Sequence, residues 1–220
     1  MNRTKIEWTD YTWNPITGCK HGCWYCYARK LTQRFKKNFP NGFEPTFHPE
    51  RLKEPWQLKK PSKIFVCSMS DLFAPWTPQE WREQVMDSIL LCPIAHTFQL
   101  LTKNPERIPL AVYPKNVWLG ATVTCDDDWH NIEEIKKRVA GVRFVSFEPL
   151  LGKLPFFVSL KGLDWIIIGK LTGSRKIKLE KAWVERIVDK AKFNNIPVFM
   201  KNNLCPPFEK SELIQEFPRG

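Results

Sequence analysis

Residues 165–169 read Trp165-Ile166-Ile167-Ile168-Gly169. Four consecutive apolar side chains, three of them β-branched, leave no polar face for water, so the block is expected to be a strand covered on both sides, as in parallel sheets. Similar short apolar blocks recur outward in both directions. Strands are expected near residues 11–16, 64–69, 97–101, 117–123, 143–147, 165–168 and 197–200. Between them lie segments with helical spacing. One is TPQEWREQVMDSILL, with Thr77 as N-cap, Pro78 at the first helical position and Glu80 completing a capping box. The others are residues 128–140 and 179–193. Alternating β and α elements predict an α/β fold, either an open doubly wound sheet or a complete or partial barrel, which pattern alone does not separate. In both, functional groups collect at the C-terminal ends of the strands. Here those ends run into GCKHGC, SMSD, TKNPER, TVTCDDD, FEPLLG, GKLTGS and KNN, all polar or glycine-bearing and expected to converge on one mouth.

The chain of 220 residues has no low-complexity break, so residues 1–220 are expected to form a single domain. Residues 36–63, rich in Pro and Lys, are the expected excursion or lid. Seven cysteines without an N-terminal apolar export segment point to a reducing, cytoplasmic setting, where clustered cysteines more often hold metal than form bridges. No apolar run reaches the roughly eighteen residues of a membrane helix, so no membrane association is expected. The net charge of +11 is uneven: residues 20–63 carry eleven Lys/Arg against three Glu, and residues 151–220 carry thirteen against seven acids. Two basic segments suit a polyanion such as nucleic acid, although no recognition-helix, zinc-finger or RNA-binding signature accompanies them.

The chemistry-bearing stretch is GCKHGCWYCYARK, residues 18–30, with cysteines spaced x3 and then x2. Three thiolates from one loop can hold three corners of a cubane iron–sulfur cluster and leave the fourth iron open. His21 offers a competing Cys3His zinc site. Unliganded structural cysteines are the third reading, and spacing alone leaves all three open.

Cys19-x3-Cys23-x2-Cys26, with an aromatic before the third cysteine, resembles the defining loop of the radical S-adenosylmethionine (radical SAM) enzymes. The longer string NPITGCKHGCWYCYARK is similar to the cluster loop of the spore photoproduct lyase branch. KIEWTDYTWNP, SMSDLF, LLTKNPERI, VWLGATV, FVSFEPLLG and IPVFMK resemble a phage-associated radical-SAM-like family of unassigned function, often paired with three-Cys-motif partner proteins. That resemblance spans residues 5 to 201. It implies a partial TIM-like (β/α) barrel of six to seven parallel strands and a [4Fe-4S] cluster on Cys19, Cys23 and Cys26. S-adenosylmethionine would chelate the open iron, and an electron donor would drive its cleavage to a 5′-deoxyadenosyl radical.

The resemblance also implies residue roles. Tyr25 matches the aromatic near the adenine, or else packs on the rim. Ser68, Ser70 and Asp71 stand where an acceptor for the methionyl amino group is needed, without the common Gly-Gly-Glu pattern. Thr122, Thr124 and Glu148 stand at strand ends that supply ribose or carboxylate contacts. Cys67 is the candidate hydrogen-atom donor and equally a small core hydrophobe. Cys125, beside Thr124, is the next cysteine expected to see a cavity. In IIIGKLTGSRK, Lys170 and Leu171 replace the glycine pair's second member and the acid usual in that family. Lys103 and Lys201 follow strands and read as rim lysines or as anion contacts. Trp8, Trp13 and Trp118 read as core or rim. The substrate is not specified beyond the basic segments' suggestion of nucleic acid. The alternative function is a zinc- or cluster-containing nucleic-acid-binding or sensing protein without radical catalysis.

Overall fold

The computed structural model describes residues 1–173 and 177–218. Part of the IIIGKLTGSRK segment, Ser174, Arg175 and Lys176, therefore lies outside the described residues. The chain divides into two compact units, Met1–Thr102 and Lys103–Gly220.

In the first unit the strand order is β1 (Asn2–Arg3), β2 (Tyr11–Trp13), β5 (Lys63–Val66), β6 (Thr97–Thr102). β1 runs antiparallel to β2, whereas β2, β5 and β6 are parallel. A separate two-stranded sheet pairs β3 (Ile16–Thr17) with β4 (Thr46–Phe47), Ile16 opposite Phe47. The unit's helices are α1 (Tyr27–Arg34) and α2 (Gln79–Leu90). α2 buries Val85, Ser88 and Ile89, one side of the helix at three- and four-residue spacing. Its N-cap is Pro78, and no side chain caps it. The Thr77 cap expected from sequence is not formed, because the Thr77 hydroxyl donates to the Asp71 carbonyl at 2.9 Å. Pro78 removes one donor at the helix start, so losing the side-chain cap leaves one fewer N–H exposed.

Residues 36–62 hold three 3₁₀ turns and β4, and they are tied to the sheet. The indole N–H of Trp13 donates to the Arg51 carbonyl at 2.8 Å, and His48 N–H donates to the Pro15 carbonyl at 2.8 Å. Thr17 Oγ1 and His48 Nε2 lie 2.8 Å apart.

In the second unit four parallel strands follow in the order β7 (Val117–Thr122), β8 (Val142–Phe147), β9 (Trp165–Ile168), β10 (Val198–Met200). Every residue of β7, β9 and β10 is buried, the pattern expected of strands covered on both faces. Gly120 admits the Phe144 ring, which lies 2.3 Å from where a Cβ would stand. α3 (His130–Lys136) is shorter than expected, following a 3₁₀ turn at Asp126–Asp128. It ends early because residues 139–141 join the segment before β7: Tyr113 N–H donates to the Val139 carbonyl at 2.9 Å and Gly141 N–H to the Val117 carbonyl at 3.1 Å. α4 (Lys181–Phe193) buries Val184, Ile187, Val188 and Ala191.

Each unit is thus α/β with mostly parallel strands, and within neither unit does the strand order close on itself. Trp8, Trp13 and Trp118 are all buried. Among the described residues no helix is long and apolar enough to cross a membrane.

Candidate cysteine-loop site

The loop is built from the ends of β2, β3 and β5. Asn14, one residue past β2, accepts through Oδ1 from Met69 N–H at 3.0 Å and from the Ser68 hydroxyl at 3.2 Å, joining the two strand ends. Gly18 N–H then donates to the Met69 carbonyl at 3.0 Å, and Cys19 N–H to the Phe43 carbonyl at 3.1 Å. Gly18 has φ +86°, and a Cβ there would sit 2.2 Å from the Glu44 carbonyl oxygen, so only glycine fits. Gly22, at φ +70°, gives the second left-handed bend. Between and after these bends stand Cys19, Cys23 and Cys26, all free thiols of intermediate exposure.

Cys26 is the N-cap of α1, its sulfur accepting from Arg29 N–H at 3.4 Å. A thiolate there faces the positive end of the helix dipole. The Cys19 thiol is pushed up to about 11, chiefly by burial; a hydrogen bond from the His21 backbone opposes this, and the charges of Asp71, Cys23 and Cys26 add to it. Metal binding must therefore displace a proton that Cys19 otherwise holds at neutral pH.

Behind the loop lies a carboxylate that sequence reading assigned to a ligand. Asp71 is 5 % exposed and accepts on Oδ1 from Phe73 N–H at 3.0 Å and from the Thr102 hydroxyl at 2.6 Å. His21 Nε2 is 2.9 Å from Asp71 Oδ2, and because a carboxylate only accepts, the imidazole donates. The same ring meets Trp76 edge-on, centroids 4.7 Å apart. Trp76 Nε1 is buried without a hydrogen-bond partner among the described residues, a donor suited to an acceptor that a ligand would bring.

The other expected contacts of this unit are also engaged. The Ser70 hydroxyl donates to the Gly18 carbonyl at 2.8 Å, and the Ser68 carbonyl accepts from Tyr27 Oη at 2.7 Å. Tyr25 is half-buried, its ring edge-on to Trp24 at 5.4 Å. Cys67 has φ +56° and is buried, its N–H bonded to the Trp13 carbonyl at 2.8 Å. Burial pushes its thiol up to about 12; a backbone hydrogen bond from Ile16 opposes the shift and the Asp71 charge adds to it.

In the second unit, Thr124 N–H and Oγ1 donate to Asp128 Oδ2 at 2.8 and 2.6 Å, and the Thr122 carbonyl accepts from Asn131 Nδ2 at 3.0 Å. Glu148 forms an ion pair with Lys201. Gly169 makes room for it, since a Cβ there would lie 3.0 Å from the Glu148 carboxylate. The ligand atoms of Cys125, Asp126 and Asp127 lie within 4.8 Å of one another, with both aspartates exposed. Lys170 donates through Nζ to the Cys205 and Pro206 carbonyls at 3.2 and 2.8 Å, while its backbone exchanges two bonds with the Asn203 amide.

In the sequence His21 reads only as a metal ligand, and nothing there marks Trp76, Thr102 or Tyr27. The two bend glycines carry a local signal, since isolated glycines flanking cysteines mark sharp turns. The His21–Asp71 contact joins residues 50 apart and has no local signal.

The family model described as "Protein of unknown function (DUF5131)" matches residues 3–205. The chain belongs to that family. No curated protein and no solved structure matches the chain.

Proposed function

We propose that this protein is a radical SAM enzyme holding a [4Fe-4S] cluster on Cys19, Cys23 and Cys26. The observation that carries the reading is the cysteine loop itself: three free thiols spaced x3 and x2, half-exposed, on one segment bent by two left-handed glycines beside the C-terminal ends of parallel strands. The donor set fits the cluster, because it supplies three soft ligands and no fourth cysteine from the loop. When bound, the cluster supplies the electron that cleaves S-adenosylmethionine to methionine and a 5′-deoxyadenosyl radical.

The chain's own residues hold and shield that group. Gly18 and Cys19 fix one side of the loop through backbone bonds to Met69 and Phe43, and α1 stabilises the negative charge of Cys26. Asp71 braces the loop through His21, and Ser68, Ser70 and Asp71 stay the candidates for the amino-group contact that the resemblance implies. Tyr25 is assigned to the adenine edge and Trp76 Nε1 to an acceptor on the ligand. Cys67, kept as the thiol by burial, retains the S–H bond that the hydrogen-atom donor implied by the resemblance requires, and its burial equally suits a small core side chain. A partial barrel, a reducing cytoplasmic setting, an electron donor and a three-Cys-motif partner belong to the same proposal.

Anaerobic reconstitution is expected to give about four iron and four sulfide per chain, lost in Cys23→Ala, and reduction with S-adenosylmethionine is expected to release 5′-deoxyadenosine. A chain that gains no acid-labile sulfide, or that loads fully without Cys23, overturns the proposal. One observation favours a second reading, a Cys3His zinc site: metal-ligating histidines donate their second ring N–H to a carboxylate, as His21 does to Asp71. That reading requires one zinc per chain, lost in His21→Ala.

A further inference from the structure

The first unit contains a recess of about 660 Å³ away from the cysteine loop. Its lining includes Arg3, Asp10, Tyr11, Lys59, Lys60 and Ser62. We propose that this recess binds the phosphate backbone of a nucleic-acid strand.

Charge is the first argument. Arg3, Lys59 and Lys60 are exposed cations, and no ion pair involves them among the described residues. Arg3 spends Nε on Tyr11 Oη at 3.3 Å, with its guanidinium carbon 5.8 Å from the Tyr11 ring centroid. The tyrosine thus orients the guanidinium, whose other N–H groups remain suited to phosphate oxygens. The one lining carboxylate, Asp10, accepts the Lys63 N–H at 2.8 Å and is held at the start of β5. Three cations face one anchored anion, and two of them, Lys59 and Lys60, belong to the segment where basic residues most exceed acids, residues 20–63. A recess of this size, with mostly polar walls, takes a charged thread better than the flat face of a bilayer.

Position is the second argument. Tyr11 begins β2, Lys63 begins β5, and the two strands are parallel, so the recess lies at their N-terminal edge. The cysteine loop is pinned at the C-terminal edge by the Gly18–Met69 bond. β5 has four residues, so the edges stand about 13 Å apart at 3.3 Å per residue. That is about four steps of nucleic acid at 3.4 Å per step. A polymer anchored in the recess is long enough to pass from one edge to the other, whereas a single nucleotide is not. The inference stands without the radical chemistry, and binding is measurable on the metal-free chain.

The test is fluorescence anisotropy of the full chain with a labelled 20-nucleotide single strand, as DNA and as RNA, over 50–300 mM salt. If the three cations each neutralise one phosphate, Arg3→Glu/Lys59→Glu/Lys60→Glu flattens the log K against log salt slope by about 2 and weakens binding about 100-fold at 0.1 M salt. Lys30→Glu/Lys36→Glu/Lys37→Glu makes the same change in net charge on and just after α1, and is expected to weaken binding less than tenfold. Lys59→Gln/Lys60→Gln, milder for folding, should remove about 1.4 of the slope. Equal losses in both triple variants overturn the inference. So does failure of the wild type to bind at 50 mM salt. Competition by inorganic phosphate or a mononucleotide as effective as the polymer at equal phosphate assigns the recess to a small ligand instead. Binding to phosphatidylserine vesicles but not to the strand assigns it to a membrane surface.

Discussion

Asp71→Ala is the sharpest probe of how the cysteine loop is held. The carboxylate accepts from Phe73 N–H, the Thr102 hydroxyl and His21 Nε2 at 3.0, 2.6 and 2.9 Å. Phe73 and Thr102 are 2 % and 1 % exposed, so water does not replace the lost acceptor for either. Removing the acceptor from each buried donor costs about 1–3 kcal/mol, giving about 4 kcal/mol for the two. His21, whose side chain is 18 % exposed, recovers part of its loss from solvent. With an unfolding entropy of about 2.1 cal/mol/K per residue, 220 residues convert about 4 kcal/mol into a fall of about 9 °C in Tm. Asp71→Asn keeps Oδ1 for Phe73 and Thr102 and presents an amide N–H to His21, whose other tautomer accepts, so about 1 kcal/mol is expected. Calorimetry of the metal-free chain measures the stability, and iron or zinc content after anaerobic loading reads the loop. If Asp71→Ala melts within 2 °C of the wild type, or melts together with Asp71→Asn, the bracing role is wrong.

The two bend glycines form a matched pair: Gly18→Ala places a Cβ 2.2 Å from the Glu44 carbonyl, whereas Gly22→Ala meets nothing within 4 Å. Gly22→Ala is expected to cost only the left-handed penalty of about 1–2 kcal/mol, and Gly18→Ala clearly more, read from denaturant midpoints; equal costs refute the clamp by residues 43–44. Cys67 titrates from about 9 when unfolded to about 12 when folded, so the unfolded chain releases its proton first and stability falls as pH rises from about 9 towards 12. The wild-type stability measured against Cys67→Ala should show that decline, and a flat difference across the window contradicts it. Lys170→Met removes two bonds to the Cys205 and Pro206 carbonyls but leaves the Asn203 pairing of its backbone. Hydrogen exchange is expected to quicken around residues 204–208 and not in β9 or β10; uniform quickening contradicts a local clamp.

All seven expected strands are present because they carry their own signal. Ile166, Ile167 and Ile168 have no polar neighbour with which to alternate, and burial on both faces is the only arrangement that hides them. α1 escaped notice for the opposite reason. Its eight residues, YARKLTQR, give an apolar face of only Tyr27, Ala28 and Leu31 and bury Ala28 and Thr32 alone, too short a stretch for a periodic signal to stand out. Its start is set by a cysteine whose sulfur caps the helix, a residue read for its metal chemistry. β3 and β4, two residues each, exist because residues 36–63 fold back on the sheet, and no periodicity announces so short a pairing.

The candidate site divides along the same line. Cys19, Cys23 and Cys26 were legible because a ligand spacing is a local property of the chain. Asp71 was legible as a strand-end carboxylate but not as a brace, since only Phe73 is local, whereas His21 and Thr102 lie 50 and 31 residues away in the chain. The same tertiary competition explains Thr77, whose hydroxyl turns from its helix to the Asp71 carbonyl. One residue therefore fixes the loop through its carboxylate and the start of α2 through its backbone. Substitutions at Asp71 and Thr77 should consequently be coupled. Asp71→Ala and Thr77→Val share the turn at residues 71–77, so their combined cost is expected to fall short of the sum by about 0.5–1 kcal/mol. Strict additivity in that double-mutant cycle would mean that the turn holds without the carboxylate, and the brace would then end at His21.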